Sequence, residues 1–429
     1  MKSQKIIILL FLFFVNISVG YNQTIQKTGS IFSEVASIIS SMPSDSGNHY
    51  IEPNTPQLNS WGNILDELLN NNYDTASDFA NILGYQLINF TDTLTIPHQH
   101  YYILETVDSN YWGTYVYNPN YCRALVIQSP HAKKDANTGH QGIHVFIETA
   151  AMFYQVNGTH RCNSSAFSNC SGTTTTCSST STSEAYKISD LAHNTQSIFQ
   201  RTTEVLFNAF DDTYFIQLHG FTKLSTDPFV ILSNGTQEIP TLDYFTVLRA
   251  NLYLEDTALT FKIAHIDTNW TRLRGFWNTQ GRFINSSTDH CNNNANETNG
   301  HFFHIEQERI RLRSDEIAWN KMSNALKNTF KCVVDTAPII PIPNALQVLN
   351  TNNQVNVYPN PTNNLITIES KLKIKSNHLI FNLFGQNLSN QVSIRDQNNQ
   401  KTTINISHLP SGIYSLRLEN HLIKIIKKD

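Results

Sequence analysis

The sequence predicts an α/β domain built on a mainly parallel sheet with helices on both faces, followed by a small all-β sandwich. Three observations carry this. Short apolar runs at 124–127, 213–218 and 229–232 alternate with stretches of helical spacing such as 191–207 and 243–254. Each run stops at polar residues, as strands do where they leave a covered sheet. From about residue 354 the helical period disappears, and short runs at 365–368, 379–383, 403–406 and 414–418 are separated by Asn360-Pro361, Phe384-Gly385 and Pro410-Ser411-Gly412. Those dipeptides are turn signals.

The N-terminus reads as an address. Lys2 and Lys5 precede an apolar run over 6–15, and Ser18, Val19 and Gly20 follow it. That is the order of a signal peptide, expected over 1–20, and the run falls short of the ~20 residues a membrane span needs. No later segment is long and apolar enough to be a transmembrane segment. An exported chain with an even cysteine set (Cys122, Cys162, Cys170, Cys177, Cys291 and Cys332) is expected to hold disulfides. Their pairing is open, although Cys162, Cys170 and Cys177 share one Ser/Thr-rich loop that a short bridge would pin. Cys-x-x-Cys is absent, which disfavours a structural zinc site. The formal charge is −4 over 429 residues, and the lysines and arginines are scattered. Nucleic acid is therefore not an expected partner.

Residues 21–95 alternate polar turns with amphipathic stretches at 31–39 and 61–69, and read as an N-terminal extension or pro-segment. The catalytic α/β domain is expected over 96–335. In order, it should hold a strand at 124–127, a helix at 141–153, a strand at 155–159, and an exposed loop at 163–185. Ser189 and Asp190 would cap the helix 191–207. Strands at 213–218 and 229–232, a helix at 243–254, strands at 260–266 and 301–305 and a helix at 309–330 complete it. The Pro- and Asn-rich stretch 336–353 is a linker, and 354–429 is the sandwich.

The tail carries recognisable motifs in order: Val357-Tyr358-Pro359-Asn360-Pro361, Asn382-Leu383-Phe384-Gly385, Leu409-Pro410-Ser411-Gly412-Ile413-Tyr414, then a Lys-rich end. They resemble the C-terminal sorting domain of type IX secretion substrates. The resemblance implies a Gram-negative source, export to the periplasm, handling by the type IX secretion machinery, and release or attachment at the cell surface. The sequons at Asn157, Asn234 and Asn269 then reflect Asn/Thr-rich composition.

Three polar clusters directly follow or end apolar strands: Pro130-His131 with Asp135, His219-Gly220, and His304-Ile305-Glu306. Neighbouring parallel strands bring such ends to one edge. Two imidazoles and a carboxylate suit a catalytic Zn²⁺ with one position left for water, and a further carboxylate suits its general base. His131, Asp135 and His219 are the candidate metal ligands and Glu306 the candidate base. Thr159-His160-Arg161 ends another strand and would face the same crevice, where a guanidinium can grip a carboxylate on two oxygens.

These positions resemble the zinc carboxypeptidase-like amidohydrolases, nearest to N-formylglutamate amidohydrolases and poly-γ-glutamate hydrolases, with a phosphorylase/hydrolase-like fold. The resemblance rests on Pro130-His131, Asp135, His219 and the segment from His304 to Arg313. It implies Zn²⁺, Glu306 as the catalytic carboxylate, Arg161 on a substrate carboxylate and His160 as an oxyanion donor. The family places Glu three residues after the first His, where this chain has Lys134. Asp135 must then serve, with Glu148 as the alternative ligand. The function implied is a secreted metal-dependent hydrolase cleaving an amide bond in a carboxylate-bearing substrate (a peptide, an N-acyl amino acid or a polyglutamate-like chain).

Plainer readings stand beside these. Asp135 fits an Asx-turn, Glu306 with Arg309 a helix-start pair, Arg161 a surface ion pair, and His193 and His265 satisfied polar side chains. The alternative function is a non-enzymatic cell-surface binding module for glycan or protein, using rings such as Tyr111, Trp112, Trp270 and Trp277. A serine hydrolase lacks its Gly-x-Ser-x-Gly turn.

Overall fold

The structure is a computed structural model that describes residues 24–332 and, in the tail, 355–370, 378–382, 388–397, 401–418 and 421–428. The expected signal segment 1–20 and linker 336–353 lie outside the described residues. The chain divides into two compact units, Met1–Asn344 and Ala345–Asp429.

The first unit begins with β1 (Ile25–Gly29), α1 (Ile31–Ser41), α2 (Thr55–Leu69) and α3 (Tyr73–Ile82). Next come β2 (Tyr85–Asp92), β3 (Gln99–Thr106), β4 (Thr114–Tyr117), β5 (Arg123–Ser129), α4 (Thr138–Glu148) and β6 (Ala151–Val156). A short hairpin, β7 (Thr173–Thr174) and β8 (Glu184–Ala185), precedes α5 (Ile198–Ala209) and β9 (Tyr214–Gly220). The unit closes with β10 (Val230–Ser233), α6 (Tyr244–Glu255), β11 (Phe261–Ile263), α7 (Thr279–Ile284), β12 (Phe302–Gln307), α8 (Arg309–Leu312) and α9 (Glu316–Thr329).

One ten-stranded sheet runs in the order β1-β2-β3-β4-β6-β5-β9-β12-β10-β11. At its centre β6, β5, β9 and β12 are mutually parallel, so their carboxyl ends share one edge. Antiparallel pairings join β2, β3, β4 and β6 on one side, and β10 to β12 on the other. Residues 25–92 are not an appendage. The boundary expected at residue 95 falls inside the β2–β3 hairpin, whose strands pair from Tyr85 opposite Thr106 to Asp92 opposite Gln99.

Alternation along the strands explains why both faces are covered. On one face Leu125, Ile127, Ile216, Leu218, Phe303 and Ile305 join a core with Val35 of α1, Phe146 of α4, Leu248 of α6 and Leu326 of α9. On the other, Val126, Phe215 and Phe302 pack with Trp61 of α2, Ala80 of α3, Phe199 of α5 and Ile284 of α7. The same alternation assigns the polar residues. His304 and Glu306 are two and four positions from Phe302, and Gln217 and His219 are two and four from Phe215. They therefore stand on the second face, at its carboxyl edge.

Several expected boundaries moved. The helix expected over 141–153 ends at Glu148, and Ala150 turns with φ 45° into β6. The helix expected over 191–207 starts at Ile198, where the Ser197 side chain accepts from the Gln200 amide at 3.1 Å. The helix expected over 309–330 is two helices, because Asp315 caps α9 by accepting from Ala318 N.

The cysteines pair as Cys122–Cys332, Cys162–Cys177 and Cys170–Cys291. Cys162–Cys177 is the short bridge expected within the Ser/Thr-rich loop.

In the second unit the strands are β13 (Val355–Tyr358), β14 (Leu365–Ser370), β15 (His378–Asn382), β16 (Ser393–Gln397), β17 (Lys401–Asn405), β18 (Gly412–Leu418) and β19 (His421–Lys427). They form antiparallel sheets β13-β14-β17-β16 and β15-β18-β19 around a core that includes Ile366, Ile368, Ile380, Ile404 and Leu416. This is the expected all-β sandwich.

Candidate active site

The parallel centre of the sheet delivers the cluster. Beyond β5 the chain makes one turn in which the Asp135 amide donates to His131 O at 2.9 Å, putting the two side chains on one side. In register, Glu306 of β12 lies opposite His219 of β9. His131, Asp135, His219 and Glu306 are all buried.

Three acceptor atoms converge. His131 Nδ1 is 3.1 Å from His219 Nδ1, and Asp135 Oδ2 is 3.3 Å from the first and 3.4 Å from the second. The far side of each ring sets its tautomer. His131 Nε2 lies 2.7 Å from Asp190 Oδ1, and a carboxylate can only accept. His219 Nε2 lies 2.7 Å from Gln217 Oε1. That oxygen is fixed as an acceptor, since Gln217 Nε2 donates to Gln128 Oε1 and Gln280 Oε1 and Asn278 donates to Oε1. In the neutral rings both Nδ1 lone pairs therefore face each other and the Asp135 carboxylate. Arg161 Nη1, 3.3 Å from His131 Nδ1, and the Gly220 amide, which donates to Asp135 Oδ2 at 3.2 Å, already serve this cluster, and a proton or a cation at its focus would stabilise it further.

The donor set fits zinc. Ligand atoms ~2.0–2.1 Å from a tetrahedral ion stand about 3.3 Å from one another. An outward carboxylate or carbonyl that holds each imidazole is the usual support of a metal-bound histidine. His219, His304 and Glu306, and His131, Asp190 and His193, form two further groups whose candidate atoms lie within 4.8 Å of one another.

The electrostatics are unequal. Burial favours neutral Asp135, but His131 and His219 hold its pKa well below the carboxylate range. Burial and Arg161 oppose protonation of His131, yet Asp190 and Asp135 outweigh them and raise its pKa. Burial brings His219 down to about 4. Glu306 is pushed up to about 8 by burial, then by the charge of Asp135. Glu306 Oε2 and His304 Nδ1 are buried without a hydrogen-bond partner among the described residues.

Asp190 was expected to cap a helix. Its side chain makes no cap bond. It accepts instead from His131, from His193 Nδ1 at 2.9 Å, and from Arg161 Nε at 2.9 Å and Nη2. The Nε–Nη2 edge of the Arg161 guanidinium is thus taken, with both donors on Asp190 Oδ2, and its Nη1 is 3.3 Å from His131 Nδ1. His160 Nδ1 accepts from the Cys162 amide at 3.1 Å, burial brings its pKa down to about 4, and it is not among the residues lining the cavity. Glu148 is not brought to the cluster. It sits exposed at the far end of α4, ten residues and ~15 Å along the helix from its first turn, and pairs with Lys327 at 3.2 Å.

A cavity of about 250 Å³ opens over the cluster, with His131, Arg161, His193, His219, His304 and Glu306 in its floor. Its walls are the hairpin loop, through Thr174, Thr176 and Tyr186, and the stretch 271–277. Sequence reasoning gave His304 no role and read His193 as a satisfied side chain. The structure packs the His304 ring at a tilt against His219, 4.4 Å between centroids, and stacks the His193 ring on Tyr186 at 3.7 Å. The signals for them were that His304 stands two residues before Glu306 in the same apolar run and that His193 follows Ser189-Asp190 at an expected helix start, from which it could point inward. Of the rings proposed as a platform, Trp112 is buried in the core.

Residues 356–428 match the family described as the secretion system C-terminal sorting domain. The tail is a type IX secretion sorting domain. The chain is exported, to be secreted or held at the cell surface, and its tail implies recognition by the type IX machinery. No described helix is long and apolar enough to cross a membrane. No curated protein matches the chain. Among solved structures, N-formylglutamate amidohydrolase from Ralstonia eutropha JMP134 aligns with 51% of this chain and 94% of its own, at 10% identity and a TM-score of 0.30. A likeness of that size carries no argument.

Proposed function

We propose that the chain is a secreted metal-dependent hydrolase that cleaves an amide bond in a carboxylate-bearing substrate. The observation that supports it is the convergence of His131 Nδ1, Asp135 Oδ2 and His219 Nδ1, 3.1 to 3.4 Å apart, with both imidazoles oriented from behind. These three residues would hold Zn²⁺. When bound, the ion polarises a carbonyl and brings the pKa of a coordinated water towards ~7.

The protein residues do the rest. Glu306, one strand over, has an oxygen without a partner among the described residues and sits in the cavity floor. Once ionised, a form that the charge of a cation held beside it would favour, it takes the proton of the attacking water and returns it to the leaving amine. Asp190 and Gln217 hold the two rings in the tautomers that present lone pairs to the focus. The walls over the cluster limit the water that can compete at the carbonyl.

Zinc content and turnover of N-acyl amino acids, measured on wild type and Glu306→Gln, test the reading. The variant is expected to keep the metal and lose about 10²–10⁴-fold in kcat. Undiminished turnover in the variant would rule out Glu306 as the base. A wild-type protein that cleaves no amide in the panel would rule out the function.

A further inference from the structure

We propose that the small cavity takes a carboxylate-terminated group of single-residue size, with its carboxylate on Arg274 rather than Arg161 and an aromatic or apolar side chain against Trp277. The hydrolase reading enters only in saying which bond is then cut.

Two guanidinium groups line the cavity, those of Arg161 and Arg274. Arg161 is committed, because its Nε–Nη2 edge is closed on Asp190 and its Nη1 stands 3.3 Å from His131 Nδ1. Arg274 is half-buried, and among the described residues it has no acidic partner. Its guanidinium rests over the Phe276 ring, 4.3 Å from the centroid, a contact that orients the fork without using its donors. An oriented, unpaired guanidinium in a cleft is suited to a carboxylate.

The stretch that carries Arg274 is held in place. Trp270 Nε1 donates to Arg272 O at 2.7 Å, Arg272 pairs with Asp227, and Arg282 Nε donates to Phe276 O at 3.0 Å. Gly275 adopts φ +68° directly over His304, where an added Cβ would stand 2.6 Å from the ring. The anchor and the cluster are therefore fixed relative to each other.

The wall beside Arg274 is aromatic. Trp277 lines the cavity with 45% of its surface exposed, and Leu273 and Tyr186 adjoin it. Glu306 is the only acidic residue in the lining, and it belongs to the floor. An acidic side chain would meet no second unpaired cation there. At about 250 Å³ the cavity is smaller than the ~300–1,000 Å³ that drug-sized ligands occupy, so one residue fills it. A larger cavity of about 900 Å³ shares Arg161, Thr176, Leu273 and Glu306 with it and has room for the acyl side of a substrate.

The test uses 3-phenylpropanoate, 3-phenylpropanamide and glutarate, titrated into the zinc-loaded full chain and followed by tryptophan fluorescence and calorimetry. In wild type the phenylpropanoate is expected to bind at least about tenfold more tightly than either of the others. In Arg274→Gln the acid and the amide should bind alike, with zinc content and thermal stability unchanged, and Arg274→Lys should restore part of the preference. Full discrimination in Arg274→Gln, or no phenylpropanoate binding to wild type, would overturn the anchor. Glutarate binding as tightly as phenylpropanoate would overturn the side-chain preference. The two readings separate cleanly. Lost discrimination in a protein that cleaves no amide keeps the subsite and retires the hydrolase. Unchanged cleavage of N-acyl-phenylalanine by Arg274→Gln keeps the hydrolase and retires the subsite.

Discussion

Glu306 carries a clear electrostatic cost. Burial and the nearby Asp135 raise its pKa from 4.5 to about 8, so the folded state binds a proton that the unfolded chain releases. Stability then falls as pH rises between those two values, because the folded protein holds more protons than the unfolded one throughout that window. In chelator, wild type is expected to lose more thermal stability between pH 5 and 8, as about that span of the window, than Glu306→Gln does. Equal slopes in thermal melts would contradict the assignment. At the same scale, His131, Asp135, His219 and Glu306 were legible because each follows or ends an apolar run. Asp190 was not. A short acid before an apolar run reads as a cap, and only the tertiary contacts with Arg161, His131 and His193 show that its carboxylate points elsewhere. Arg161 was legible as a cation facing the crevice, but its burial and the partner that occupies it were not.

Among elements, the order of strands and helices followed from hydrophobic period, while several boundaries did not. Residues 143–156 are apolar at most positions, and period alone cannot separate a buried helix from a buried strand. The positive φ at Ala150, which divides them, leaves no mark in composition. The loops at the site depend on the disulfides. Cys162 follows Arg161 directly, and Cys177 follows Thr176, which lines the cavity. Closing a loop of this length, with a sequence separation of 15, stabilises by about 3 kcal/mol in the chain-entropy account. Cys162→Ser combined with Cys177→Ser is expected to lose up to about 3 kcal/mol in denaturant unfolding and to bind 3-phenylpropanoate more weakly. Wild-type affinity in that double variant would show that the bridge does not support the cavity.

For the whole molecule, the sorting tail and the cluster of histidines and carboxylates occupy different units. The sorting tail was the most legible part of the chain because its turn motifs are local in sequence. The first unit was legible as a parallel α/β sheet, since its centre is covered by apolar clusters on both faces. The part played by residues 25–92 was hidden, because a strand such as β2 gains its meaning only from β1 and β3 beside it. An exported protein with three disulfides is assembled where oxidation is possible, and the cluster at the carboxyl edge of the sheet is what that export delivers. Anomalous diffraction at the zinc edge, from crystals of the full chain grown with one equivalent of Zn²⁺, tests the metal centre directly. The expected result is a single strong peak ~2.0–2.1 Å from His131 Nδ1, Asp135 Oδ2 and His219 Nδ1. A map with no peak there, or with zinc held by His193 and Asp190 instead, would contradict it.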